Sequence, residues 1–340
     1  MKRTTLFGIA FLLSLSLMLG ACAPAATPAE APVEEAEQTA EEAEQVEAMS
    51  EAVTLKIAVL PIMDALPMFV AEAEGLFEAN GVNVEFIPVA SAPERVQILQ
   101  AGQADGTVNE ILAVMFFNKE ETQMQAVRFA HMATADHAHF SIMAAANSGI
   151  TDVAGLKGVE IGVSPATIIE YLTYRLLEAE GFSEDEIVTL AVPKIPDRLA
   201  LLGSGEMQAG VLPDPLGPLS EQSGAITILD DRNAPNYGAS VISFRKAVID
   251  ENPEAIKAFL AAIEEAVANI NSDPSQYAGL LAEKQLVPPP LMESYQIPSF
   301  PTAGVTSEAD WNDALEWAQS QGLLDVDVSY SDSVNADLLP

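Results

Sequence analysis

Residues Pro196–Pro215 read PDRLALLGSGEMQAGVLPDP. This is the grammar of a helix, a glycine stop, a short buried strand and a proline-kinked loop. The same grammar runs earlier, from Pro93 to Glu110, as PERVQILQAGQADGTVNE. Arg95 aligns with Arg198, Leu99 with Leu202, Gly102 with Gly205, Asp105 with Gln208, and Val108 with Val211. Each copy has a proline near the first helical turn, where its missing N–H costs no hydrogen bond. Each then has apolar residues three apart and a glycine able to end the helix in the left-handed region. A repeated helix–Gly–strand unit predicts two α/β lobes of similar build.

The flanking sequence extends the repeat. Leu55–Leu60 reads as a strand, Met68–Glu78 as a helix and Val82–Ile87 as a strand after the Asn80-Gly81 turn. In the second half, Val159–Val163, Ile168–Ala179 and Glu186–Val192 repeat strand, helix, strand. Both halves therefore predict doubly wound parallel sheets. Phe140–Ala146 reads as a strand leaving the first lobe, and Tyr237–Phe244 as a strand returning to it, so that two crossover segments join the lobes. The tail predicts helices over 253–270, 274–284 and 308–319, with Trp311 and Trp317 packed in a core.

The composition fits this plan. Of 340 residues, 49% are hydrophobic and 19% charged, enough for about two cored domains. A net charge of −35 argues against nucleic acid as an electrostatic partner. Lys2 and Arg3 precede an apolar run, Leu6–Leu19, which ends in Leu-Gly-Ala-Cys at Cys22, the one cysteine of the chain. This predicts a lipoprotein signal peptide over 1–21 and an acylated Cys22. Residues 22–52, rich in Ala, Pro, Glu and Gln, predict a disordered acidic tether. The first lobe is assigned to 53–142, the second to 143–239, and 240–340 returns to the first.

From Glu74-Gly75-Leu76-Phe77 and Gly81–Val84, through Leu99–Asp105 and Gly155-Leu156-Lys157-Gly158, to Arg198–Gly205, the chain resembles a family of ABC-transporter substrate-binding proteins. That family serves sulfonates, nitrate and the pyrimidine precursor of thiamine, and has the type II periplasmic binding protein architecture. The resemblance implies an extracytoplasmic, lipid-anchored monomer without a cofactor. It would close on a small molecule and deliver it to an ABC permease in the membrane.

Ligands of open α/β sheets sit beyond the carboxyl ends of the strands, near helix N-termini. Here those ends predict a cleft wall of Met63, Leu66 and Tyr171 for apolar contact, and Ser91, Asn109, Ser164 and Thr167 for hydrogen bonds. Ser91 and Thr167 read equally well as helix caps, and Tyr171 reads more readily as core packing than as ligand contact. Asp64, Glu110, Glu170 and Asp214 lie near the mouths of the same loops, which contain no Lys or Arg; Arg95 and Arg198 are expected to be solvent-exposed or paired. A buried carboxylate needs a donor, so these loops favour a nitrogen heterocycle, such as a thiamine-pyrimidine precursor or a flavin. Sulfonate or nitrate is the alternative. His131, His137 and His139 lie beside Asp136; on a strand, His137 and His139 would share a face and could hold a metal with Asp136. An enzyme like the pyrimidine synthases of the same fold is disfavoured, because no cysteine follows Cys22.

Overall fold

The computed structural model describes residues 52–340. The expected signal peptide, Cys22 and nearly all of the tether lie outside the described residues. Among those residues no helix is long and apolar enough to cross a membrane.

Two five-stranded sheets form the cores of two lobes. The first-lobe elements are β1 (Thr54–Val59), α1 (Leu66–Ala73), α2 (Leu76–Ala79), β2 (Asn83–Pro88), α3 (Ala92–Gln100), β3 (Gly106–Asn109), α4 (Ile111–Asn118) and β4 (Met124–His131). The second lobe follows with β5 (Phe140–Ala144), β6 (Glu160–Val163), α5 (Ile168–Ala179), β7 (Val188–Ala191), α6 (Ile195–Ser204), β8 (Ala209–Pro213), α7 (Leu216–Gln222) and β9 (Ile226–Asp230). β10 (Ser240–Arg245) returns to the first sheet and is followed by α8 (Lys246–Glu251), α9 (Pro253–Ser272), α10 (Ala278–Glu283) and α11 (Glu308–Ser320).

The strand orders are β2-β1-β3-β10-β4 and β7-β6-β8-β5-β9, the same sheet twice. Each is mixed rather than fully parallel. β10 runs antiparallel to β3 and β4, and β5 antiparallel to β8 and β9. The reason is the route of the chain. Each crossover enters its new lobe at the edge where the parallel strands end, so the entering strand must run back against them. Phe140 accordingly pairs with Pro213, and Val241 with Asn109. All of β5 belongs to the second sheet, so the crossing lies in 132–139 and not inside that strand at 142/143.

The repeat read from the sequence is present in detail. α3 and α6 carry the buried Leu99 and Leu202, and Gly102 and Gly205 follow with φ of +67° and +75°. The helix expected to run unbroken over 68–78 is instead divided at Gly75, whose φ of +69° is left-handed.

α9 shows why the tail closes the first lobe. Ile256, Phe259, Leu260, Ile263, Val267 and Ile270 recur at three- and four-residue spacing and are all buried. They cover α1 and α2, with Phe259 stacked on Phe77 at 5.1 Å between ring centroids. α11 behaves differently from the rest of the tail. Trp311 and Trp317 are buried as expected, but the helix packs against α4 of the first lobe and α5 of the second. It thus bridges the lobes.

Candidate ligand-binding cleft

A cavity of about 300 Å³ lies between the lobes. It is lined where strands end: Asp64 after β1, Ser91 after β2 and Asn109 at the end of β3, against Ser164 after β6, Lys194 after β7 and Asp214 after β8. Arg95, Glu110, Thr167 and His139 add to the polar wall; Ile62, Phe140, Ile168 and Leu286 are among the apolar residues. Three of the polar residues also cap helices. Ser91 Oγ accepts from the backbone N–H of Glu94, Glu110 from that of Ala113, and Thr167 from that of Ile169. Cap and wall coincide because a helix N-terminus facing the cleft needs a polar side chain there for its orphan N–H groups.

The three acids of the wall have internal partners. Asp64 Oδ1 lies 3.3 Å from His139 Nε2 and 3.7 Å from His131 Nδ1. Burial pushes the Asp64 carboxyl up, but the adjacent imidazoles outweigh it and hold the group well below the usual carboxylate range. Glu110 is raised by burial, and the charge of Arg95 with the α4 N–H groups recovers only part of the shift. Asp214 accepts the hydroxyl hydrogen of Tyr295 and has His137 Nε2 at 3.1 Å.

The arginines are not solvent-exposed. Arg95 Nη1 donates to Val108 O at 2.8 Å. Arg198 is fully buried: its Nε donates to Val211 O at 2.9 Å, and its Nη1 to Ser164 Oγ at 2.7 Å and Val192 O at 2.9 Å. No carboxylate pairs with Arg198 among the described residues, and its Nη2 has no hydrogen-bond partner there. Burial alone lowers its guanidinium pKa to about 10. Behind the Ser164 hydroxyl, therefore, stands a cation with no internal counter-ion.

The family profile described as NMT1/THI5 like matches residues 63–277. The chain belongs to the NMT1/THI5-like family. A protein of Brucella abortus described only as a binding protein is 24% identical over 221 residues, which is 63% of this chain and 66% of that one. The chain thus spans slightly under two thirds of that relative. NrtA of Nostoc, a nitrate/nitrite binding protein, is 21% identical over 235 residues, 64% of this chain and 53% of that protein. Among solved structures, the alkanesulfonate-binding protein SsuA of Xanthomonas axonopodis, bound to MOPS, superimposes with a TM-score of 0.70 at 17% identity, covering 84% of this chain and 99% of that one. At that identity the likeness shows the fold: two α/β lobes of a periplasmic binding protein.

In this NMT1/THI5-like chain, Asp64, Ser91, Asn109, Glu110, Ser164, Thr167 and Asp214 are brought together in one cavity. Met63, Leu66 and Tyr171 are not. Met63 and Leu66 are wholly buried in the first-lobe core, because the turn after β1 directs its polar Asp64 to the cleft and its apolar side chains inward. Tyr171 faces α11 instead, where its hydroxyl donates to Asp313 at 2.5 Å and its ring meets Trp317 and, beside it, Tyr237.

The histidines divide differently from the expectation. Residues 132–139 form no strand; the backbone of Thr134 and His137 closes a turn on itself, so alternation does not govern the side chains. His137 reaches Asp214, Asp136 is exposed, and His139 joins His131 at Asp64. The contributions of Arg198, Lys194 and the Asp64–His131–His139 cluster were missed. For the arginines a signal existed: Arg95 precedes the buried Leu99 by four residues, as Arg198 precedes Leu202, which sets each on the inner helical face.

Proposed function

We propose that this chain is the extracytoplasmic solute-binding subunit of an ABC importer and that its cleft takes a small organic anion. The observation that carries the choice of ligand is Arg198, a buried cation held behind Ser164 without a carboxylate. The acids that seemed to ask for a ligand's donors already have internal partners, which weakens the case for a nitrogen heterocycle. Lys194 at the rim, with no ion pair among the described residues, adds to the positive side. The N-termini of α3, α4 and α5 face the same space and favour negative charge.

The size and walls of the cavity support an anion with a carbon body, since apolar side chains make up much of the lining. The alkanesulfonate and nitrate binding named for two of the relatives is consistent with this class. The protein would be held at the membrane through lipid on Cys22, as a monomer, with a permease as its partner. Mass spectrometry of the N-terminal peptide tests the lipid.

Calorimetric titration with alkanesulfonates, short carboxylates, nitrate, aminopyrimidines and flavins tests the ligand class. An organic anion is expected to bind, and Arg198→Met to weaken it about 10-fold or more. Binding of heterocycles alone, or of anions with equal affinity after Arg198→Met, would discard the reading.

A further inference from the structure

We propose that Asp64, His131 and His139 form a binding site for a divalent transition metal of the zinc class, opening on the cleft. One donor atom from each residue lies within 4.8 Å of the other two, and all three residues are buried. The carboxylate oxygen stands 3.3 Å from His139 Nε2 and 3.7 Å from His131 Nδ1. Two ligands bound to zinc at about 2.1 Å in tetrahedral geometry stand about 3.4 Å apart. The protein therefore already holds two of the three donor separations near the edge of a coordination tetrahedron, and the third within 4.8 Å.

The second observation is His131 itself. It is wholly buried, yet neither ring nitrogen has a hydrogen-bond partner among the described residues. His139 Nδ1 is likewise unpartnered, and the two rings lie 4.4 Å apart. Two imidazoles in contact beside one carboxylate leave polar nitrogens without partners, a cost that a bound cation removes. Imidazole donors select transition metals over magnesium or calcium. With three protein ligands among the described residues, the fourth position is exchangeable. Asp64 and His139 line the cavity, so that position faces the cleft.

The donors also span the junction of the lobes. Asp64 follows β1 and His131 ends β4, both in the first lobe, whereas His139 stands directly before β5 of the second. A bound metal would cross-link the two ends of the 132–139 crossover. The site does not depend on the importer reading, because it is formed by protein ligands alone.

Chelator-treated full-length protein, titrated with Zn²⁺ and with Co²⁺ in high salt and without any organic solute, tests it. One equivalent of metal is expected, with the visible absorption of low-symmetry four-coordinate Co²⁺. His131→Gln and His139→Gln should each weaken binding about 10- to 100-fold. His137→Gln should bind as wild type, since His137 belongs to the Asp214 cluster. Each variant's unfolding transition is recorded without metal, and the Co²⁺ spectrum of the wild type reads the ligand set even if a variant fails to fold. No binding, a spectrum of six-coordinate hydrated Co²⁺, or binding insensitive to His131 and His139 would overturn the proposal; the last would mark adsorption to the acidic surface.

Discussion

Arg198 donates from Nε to the carbonyl oxygen of Val211, thirteen residues along the chain, at 2.9 Å. The first lobe repeats the relationship at the same separation, with Arg95 bound to Val108 O at 2.8 Å. In both lobes a buried guanidinium ties the start of a helix to the strand that follows it. The copies then diverge. Arg95 has Glu110 nearby, whereas among the described residues Arg198 has only carbonyl and hydroxyl oxygens as acceptors. That difference leaves the second lobe with the uncompensated charge.

The Arg95–Glu110 relationship predicts a pH-dependent defect. Glu110 sits above its ordinary value, so the stability linked to its protonation is present below about pH 4.5 and lost as pH rises through the folded value. Arg95→Met removes the compensating charge and raises Glu110 further. At pH 7 it should cost about 3 kcal/mol in urea unfolding, and Arg95→Met/Glu110→Gln should recover part of that loss. The gap between Arg95→Met and wild type should narrow as pH falls toward 4.5. A gap independent of pH would contradict this account.

Tyr295 packs on the first-lobe core and donates to Asp214 of the second lobe. Burial, reinforced by the Asp214 carboxylate, pushes the phenol above its usual range, so it remains a donor at physiological pH. Tyr295→Phe should favour an open arrangement. Solute affinity should fall about 5-fold, the equivalent of one net hydrogen bond, and small-angle scattering should show a larger radius of gyration. An unchanged radius and affinity would remove Tyr295 from lobe closure.

Two glycines predict opposite outcomes. A Cβ on Gly106 would stand 2.6 Å from two ring atoms of Phe244 and 3.0 Å from the Ser243 carbonyl oxygen, both on the paired β10. Neither neighbour can turn aside easily, so Gly106→Ala should destabilise by about 1–3 kcal/mol. Gly203 lies within α6 with nothing inside 4 Å of its Cβ position. Gly203→Ala should stabilise by about 0.4–1 kcal/mol, chiefly by restricting the unfolded chain. Thermal unfolding of the two variants compares them directly.

Tyr171 separates packing from binding. Tyr171→Phe loses one hydrogen bond to Asp313, which still accepts from Arg175 Nε at 2.9 Å. Stability should drop by about 1 kcal/mol while solute affinity stays unchanged. A clear loss of affinity would return Tyr171 to the cleft wall.

The repeated unit was legible because local rules fix it. Proline at a helix start, glycine at its end and a short apolar strand recur in both halves, and α3–β3 and α6–β8 form where those signals stand. Polar residues at strand ends, such as Ser91, Asn109, Ser164 and Thr167, were legible for the same reason: topology carries the ends of parallel strands to one rim. Met63 and Leu66 misled because an apolar residue in a loop can turn toward a core as readily as toward a cleft. Tyr171, on a helix covered on two sides, gave no sign of which side its hydroxyl would meet.

By itself, the sequence determined two similar lobes, the existence of crossovers between them and several polar positions at the strand ends, all consequences of periodicity and chain direction. Only the tertiary structure decided the charge of that cleft and the grouping of its histidines. Asp64, His131 and His139 converge because an irregular segment folds back between two sheets. Among the described residues Arg198 is left without a counter-ion, because the second lobe provides only carbonyl and hydroxyl acceptors around it. Both outcomes depend on distances between residues remote in the chain, which no local pattern encodes.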